Sequence, residues 1–201
     1  MKASFEALKR DLLAEEGPRI SPMRNYRFAI LPYPPDKEFE CRQMARALSD
    51  DLKGRGWDVL DLSLRRLFLS RLRAQDERVL QSWVAAEKRV VDRAPDRALN
   101  RLKGQVTGLL EGEDGLAGDV VRVLEEFADR TNPDPERTLL WISGAGSLYP
   151  FFRMSSLLKL LDGKTRLLPV VLLYPGARGE GNSLHFMGVF PPDRDYRPRI
   201  Y

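Results

Sequence analysis

The residues best equipped for chemistry surround a glycine turn, Gly144-Ala-Gly146-Ser147-Leu-Tyr149, which follows the apolar run Thr138–Ser143. A strand feeding such a turn leaves N–H groups that can bind an anion or a partner's carboxylate, and Arg153 just beyond could supplement them. The same glycines can equally serve the turn alone, by adopting backbone angles closed to other residues. The pattern begins like a dinucleotide fingerprint, but Tyr149 stands where the third glycine would allow close helix–strand packing. Gly163-Lys164-Thr165 looks like the end of a phosphate loop, yet Leu158 occupies the place of its first glycine. Gly163 is therefore read as a helix-terminating glycine.

Other reactive side chains lack company. His185 is the one imidazole and alternates with Leu184 and Phe186, as an ordinary strand residue would. Ser143, Ser147 and Ser183 lie near turns, but no Gly-x-Ser-x-Gly elbow is present. Cys41, the one cysteine, falls on a helix where a small buried side chain is the usual occupant. One cysteine and one histidine exclude most zinc sites, whereas a carboxylate-bound magnesium stays open, and Asp61 near the end of strand two and Asp36 after strand one could hold a metal or a ribose. Asp36 is also a natural helix cap.

Three of the six tyrosines directly precede proline: Tyr33-Pro34, Tyr149-Pro150 and Tyr174-Pro175-Gly176. Proline ends strands and holds its predecessor extended. If the three apolar runs before them are neighbouring parallel strands, the rings gather along one rim, at the carboxyl ends where ligands and partners dock. The expected docking residues are Tyr33, Pro34, Gly144, Gly146, Ser147, Tyr149, Pro150, Arg153, Tyr174, Pro175 and Gly176.

The elements that would position them alternate. Strands are expected at Tyr26–Leu31, Trp57–Leu62, Thr138–Ser143 and Val170–Tyr174, with an antiparallel edge strand in 183–190. Helices are expected at 1–14, from an Asp36 cap to Lys53 with Phe39, Met44, Ala47, Leu48 and Leu52 inward, and from Pro150, which suits a first helical turn. Residues 63–130 read as four helices inserted between strands two and three, the first capped by Ser63. This is a single α/β domain over 1–201: a three-layer sandwich with a mostly parallel sheet of four to five strands. The expected strand order is 2-1-3-4-5, with its switch point between strands one and three.

The net charge of +4 is unevenly spread: residues 61–105 carry eleven Lys/Arg against six Asp/Glu, and 106–130 carry two against seven. Such polarity suits a protein partner at least as well as nucleic acid. A nucleic-acid surface would use Arg65, Arg66, Arg71 and Arg73, placed opposite Leu64, Leu67, Phe68 and Leu72. The tail, with Arg194, Arg197 and Arg199 among its tyrosines, could track a strand, pair with an acidic partner, or close the sheet edge. No apolar run is long enough to cross a bilayer, and the absence of a signal sequence makes the cytoplasm the expected compartment.

The run Ser143-Gly-Ala-Gly-Ser-Leu-Tyr-Pro-Phe-Phe-Arg-Met-Ser-Ser-Leu-Leu158 resembles the signature of the BrxB family of BREX bacteriophage-exclusion systems. Leu31-Pro-Tyr-Pro-Pro35, Leu172-Leu-Tyr-Pro-Gly176 and an ending with Leu184, Gly188, Tyr196 and Arg197 extend the likeness. The resemblance implies a bacterial protein encoded beside a phosphatase-like PglZ protein, a DNA methyltransferase and a large ATPase. It carries no catalytic residues across and implies no cofactor. The function it suggests is a non-enzymatic adaptor that acts with PglZ in host-DNA methylation and phage restriction. Self-association, a nucleic-acid-binding subunit and a nucleotide-sensing domain are the competing expectations.

Overall fold

The computed structural model describes residues 1–21, 27–181, 183–189 and 197–201. Helix α1 (Lys2–Leu12) precedes strand β1 (Phe28–Tyr33), helix α2 (Glu38–Gly54) and strand β2 (Asp58–Ser63). Four helices follow: α3 (Leu64–Arg73), α4 (Glu77–Val90), α5 (Pro95–Leu110) and α6 (Leu116–Thr131). The chain then forms β3 (Thr138–Ser143), α7 (Met154–Leu161), β4 (Val170–Arg178), β5 (Leu184–Phe186) and β6 (Arg199–Ile200).

The sheet order is β2-β3-β4-β1-β6, all parallel, and β5 pairs antiparallel with the outer end of β4. The three-layer α/β class is as expected, but the order 2-1-3-4-5 is not. Strand β1 pairs with β4, so the connection through α2 crosses two strands before reaching β2. Composition explains the arrangement. Val170–Leu173 of β4 and all of β3 are buried on both faces, as central parallel strands must be. Strand β2 carries Asp58 and Asp61 and leaves both exposed, so it belongs at an edge.

Successive β1 residues alternate between two cores. Phe28 and Ile30 join the larger cluster with α3, α5, α6 and α7, while Ala29, Leu31 and Tyr33 join α1 and α2 on the opposite face. Strand β1 runs past its expected end, through Pro32 to Tyr33. Strand β6 pairs only with Ala29 and Ile30, so by Pro32 the missing N–H costs no ladder bond on that side. Tyr26, the expected start of this strand, lies outside the described residues.

Two helix expectations need correction. Helix α2 buries Cys41, Ala45, Leu48 and Leu52, whereas Phe39 is 74% exposed and Ala47 faces solvent. Pro35–Lys37 forms a 3-10 turn that moves the cap to Lys37, and Phe39, nine residues before Leu48, lies on the opposite side of the helix from the buried stripe. Asp36 sits in that turn and caps nothing. Pro150, in turn, lies in a connector before α7, joined to Tyr149 by a cis bond. Other local signals hold. The Ser63 hydroxyl accepts from the Arg66 N–H at 3.4 Å, and Gly163 follows α7 with φ +73°.

Candidate functional site

The proposed ring of tyrosines divides between two faces. Register places Tyr33 opposite Pro175, and Pro32 opposite Tyr174. Side chains alternate along strands, so a one-residue offset sends the two rings to opposite sides of the sheet. Tyr33 is buried in the α1–α2 core and donates its hydroxyl proton to Glu38 Oε2. Tyr174 is buried in the other core, edge-on to Phe186 at 5.4 Å between centroids. Half-buried Tyr149 meets the same Phe186 ring at 6.3 Å. Two of the three rings therefore converge, and the third does not. Pro175 and Gly176 are buried as well, while Pro34, Ser147 and Arg153 are exposed.

The glycine turn is tightly built. Gly144 adopts φ +73°, and a Cβ there would lie 3.2 Å from Arg65 Cβ and 3.3 Å from its backbone nitrogen. A 3-10 turn over Ala145–Leu148 follows, in which the Ser147 and Tyr149 N–H groups bond to the Gly144 and Gly146 carbonyls. Those two donors are spent within the turn, so the anion cradle expected there lacks them. Gly146 instead lets the turn approach β4, its would-be Cβ 3.4 Å from Pro175 Cγ and 3.5 Å from Met187 Sδ.

A basic cleft opens beside this turn. Helices α1 and α2 cover β1, β4 and β3 on this face but reach β2 only at Val59, so Asp61 stays exposed and Ser63 half-buried toward the carboxyl end of the strand. The resulting trough, about 670 Å³, has Val59, Asp61 and Ser63 of β2 and Ser143 of β3 on its floor. Its walls carry Arg42, Arg46 and Lys53 from α2, and Arg65, Arg66 and Arg73 from α3. The Ser143 hydroxyl donates to Asp61 Oδ1 at 2.8 Å, and Arg66 Nη2 reaches the Asp61 carbonyl at 3.2 Å. Arg42 and Arg65 also line a smaller groove of about 280 Å³ with Pro35, Gly146, Ser147 and Pro175. The carboxyl end and the basic cleft are thus continuous.

Of the seven arginines expected to face nucleic acid, three line this cleft: Arg65, Arg66 and Arg73. Arg71 points the other way, where its guanidinium pairs with Asp119 and donates to the Leu109, Asp114 and Gly115 carbonyls. A side chain bonded to four acceptors is an anchor for the α5–α6 turn, not a solvated one. Arg199 is likewise structural: it bonds the Arg19 carbonyl at 3.0 Å, pairs with Asp11 at 2.9 Å and stacks on Tyr201. Of the three roles expected for the tail, β6 shows the closing of the sheet edge. Arg197 pairs with Asp162 at 3.4 Å, and Arg194 lies outside the described residues. The sequence reading missed Arg42, Arg46 and Lys53. Their shared face of α2 was visible in the helical spacing, but nothing local revealed that Asp61 and Ser63 of β2 would lie open beside it.

The remaining reactive residues sit apart from the cleft. Cys41 is buried, and burial pushes its thiol up to about 12. His185 pairs across from Ala177, with Nε2 2.9 Å from a would-be Cβ on Gly179. Among the described residues, no three His, Cys, Asp or Glu side chains gather as metal ligands would. None of the helices there is long and apolar enough to cross a membrane.

Fold and site together define a three-layer α/β protein with a parallel sheet, a helical insertion and a cationic cleft at the open sheet edge. The family model described as BREX protein BrxB matches residues 60–200, and the chain belongs to that family. It is accordingly a component of a BREX phage-defence system. The matched span holds the glycine turn, the insertion and the β4 segment, while Leu31–Pro35 lies before it. Comparison with curated proteins and with solved structures finds no match.

Proposed function

We propose that the chain is a non-enzymatic adaptor that binds a PglZ-like phosphatase-family protein and, through it, supports host-DNA methylation and phage restriction. The observation that carries this reading is helix α4, none of whose fourteen residues is buried. It is amphipathic, held chiefly by α5, with Trp83 only partly sheltered. Val79, Val84 and Val91 remain open to solvent, as does Leu99 on α5. A helix that buries so little owes its persistence to something besides this chain's core. The exposed parts of the glycine-turn end, Pro34, Ser147 and Arg153, with half-buried Gly146, Tyr149 and Pro150, offer a second contact zone. Buried Tyr33, Tyr174, Pro175 and Gly176, together with Gly144, shape that end from beneath.

The test is co-purification of the tagged chain with its co-encoded PglZ-like protein. The wild-type chain should retain it, and Val84→Asp with Leu99→Asp should release it. Both sites face solvent, so melting temperature should hold. Recovery of no PglZ-like protein by the wild-type chain, or recovery of only a second copy of itself, ends this reading.

A further inference from the structure

We propose that the cleft between α2 and α3 binds the phosphate backbone of a nucleic-acid duplex, without reading base sequence. The argument begins with charge. Six cations and two carboxylates, Asp50 and Asp61, line the cleft, an excess of four. That equals the net charge of the entire chain, so the remainder of the protein is neutral in sum. Charge concentrated in a trough focuses the field there and draws a polyanion toward it.

The state of these cations supports the same reading. Elsewhere on the molecule Arg27, Arg71, Arg122 and Arg166 sit against carboxylates, while Arg78, Arg89 and Arg97 of the α4–α5 hairpin have no ion-pair partner among the described residues. In the cleft, Arg42 pairs with Glu38 at 3.1 Å, but Arg46, Lys53, Arg65 and Arg73 have no ion-pair partner among the described residues. Asp61 is already engaged by Ser143. Four like charges held along two facing walls repel one another, and an external polyanion relieves that repulsion.

Length and lining select the ligand. Arg42, Arg46 and Lys53 follow one line of α2, which spans about 16 Å by helical rise. At the axial phosphate spacing of one duplex strand, that covers about five phosphates. An open row of this length exceeds what a mononucleotide fills. Proteins that grip single strands stack bases on exposed aromatic rings. The one ring lining this cleft, Trp141, is only 2% exposed and gives its indole N–H to Ser49 at 2.9 Å. Backbone contact without stacking suits a duplex.

The experiment measures anisotropy of a labelled duplex of about twenty base pairs against salt concentration, with the full chain. Six phosphate contacts predict an affinity loss of roughly a thousand-fold between 50 and 200 mM salt. The triple variant Arg46→Glu, Lys53→Glu, Arg73→Glu should lower affinity at least a hundred-fold and flatten the salt slope by about three. All three residues are exposed, so the variant should melt as the wild type does. A matched variant on the helical hairpin, Arg78→Glu, Arg89→Glu, Arg97→Glu, makes the same charge change elsewhere and should bind normally. Four results would each overturn the proposal: no duplex binding at 50 mM salt, equal loss in the hairpin variant, tighter binding of single strands, or equal competition by polyglutamate or ATP. Retention of the PglZ-like protein by the cleft variant would keep this question separate from the adaptor reading.

Discussion

Arg71 of α3 and Asp119 of α6, forty-eight residues apart, form an ion pair at the base of the helical insertion. Asp119 is 9% exposed and also receives Arg122. The Arg71 fork satisfies the carbonyls of Leu109, Asp114 and Gly115, at the turn where α5 gives way to α6. Replacing it leaves a sheltered carboxylate and three carbonyls short of a donor. Arg71→Met should therefore cost about 3 kcal/mol in urea unfolding. Arg71→Lys should recover only part, because a single ammonium cannot match a planar fork. Arg73→Ala, two residues on and exposed, should stay within about 0.5 kcal/mol of the wild type.

Two glycines make opposite predictions. A Cβ on Gly176 would lie 2.1 Å from the His185 carbonyl oxygen and 2.8 Å from Tyr174 Cε1. The obstacle is the backbone of the paired strand, so it cannot swing aside. Gly176→Ala should cost about 3 kcal/mol or prevent accumulation of folded protein. At Gly146 the nearest neighbours are Pro175 Cγ at 3.4 Å and Met187 Sδ at 3.5 Å, and φ is not in the left-handed region. Gly146→Ala should unfold within about 1 kcal/mol of the wild type. Thermal melts of the two purified variants compare them directly.

Tyr33 and Cys41 set an alkaline limit. Burial, then the Glu38 hydrogen bond, holds the Tyr33 phenol far above its ordinary value, and burial raises the Cys41 thiol to about 12. Both groups keep their protons when folded and release them sooner when unfolded. Their contributions are full below the unfolded values near 9 and 10, and fall as pH climbs toward the raised folded values. Stability by urea unfolding should decline from about pH 9 to pH 11. Tyr33→Phe should lose about 1.5 kcal/mol at pH 8 with its bond to Glu38, and show a shallower alkaline decline.

The same burial predicts reactivity. Cys41 is 1% exposed, so a thiol reagent at pH 8 should label the native chain at the rate of unfolding rather than at that of a free thiol. Denaturant should make labelling immediate. Rapid labelling of the native protein would show that α2 opens from β1 far more readily than its packing implies.

Local chemistry was legible in the sequence wherever it depends on near neighbours. The limits of β3, the Ser63 cap, the buried Cys41 and the terminating Gly163 all follow from residues within a turn of one another. So did the α/β class, because continuous apolar strands alternating with amphipathic helices have few ways to hide both faces. What tertiary structure decided was adjacency. Tyr33 and Tyr174 each stand before a proline at the end of an apolar strand, yet the β1–β4 register offsets them by one residue and turns their rings to opposite cores. Arg71 and Arg73 look alike in one dimension, and only the arrival of Asp119 separates an anchor from a free cation. The basic cleft arises because α2 crosses over two strands and meets β2 only at its start, leaving Asp61 and Ser63 open, a long-range packing choice that no local spacing encodes.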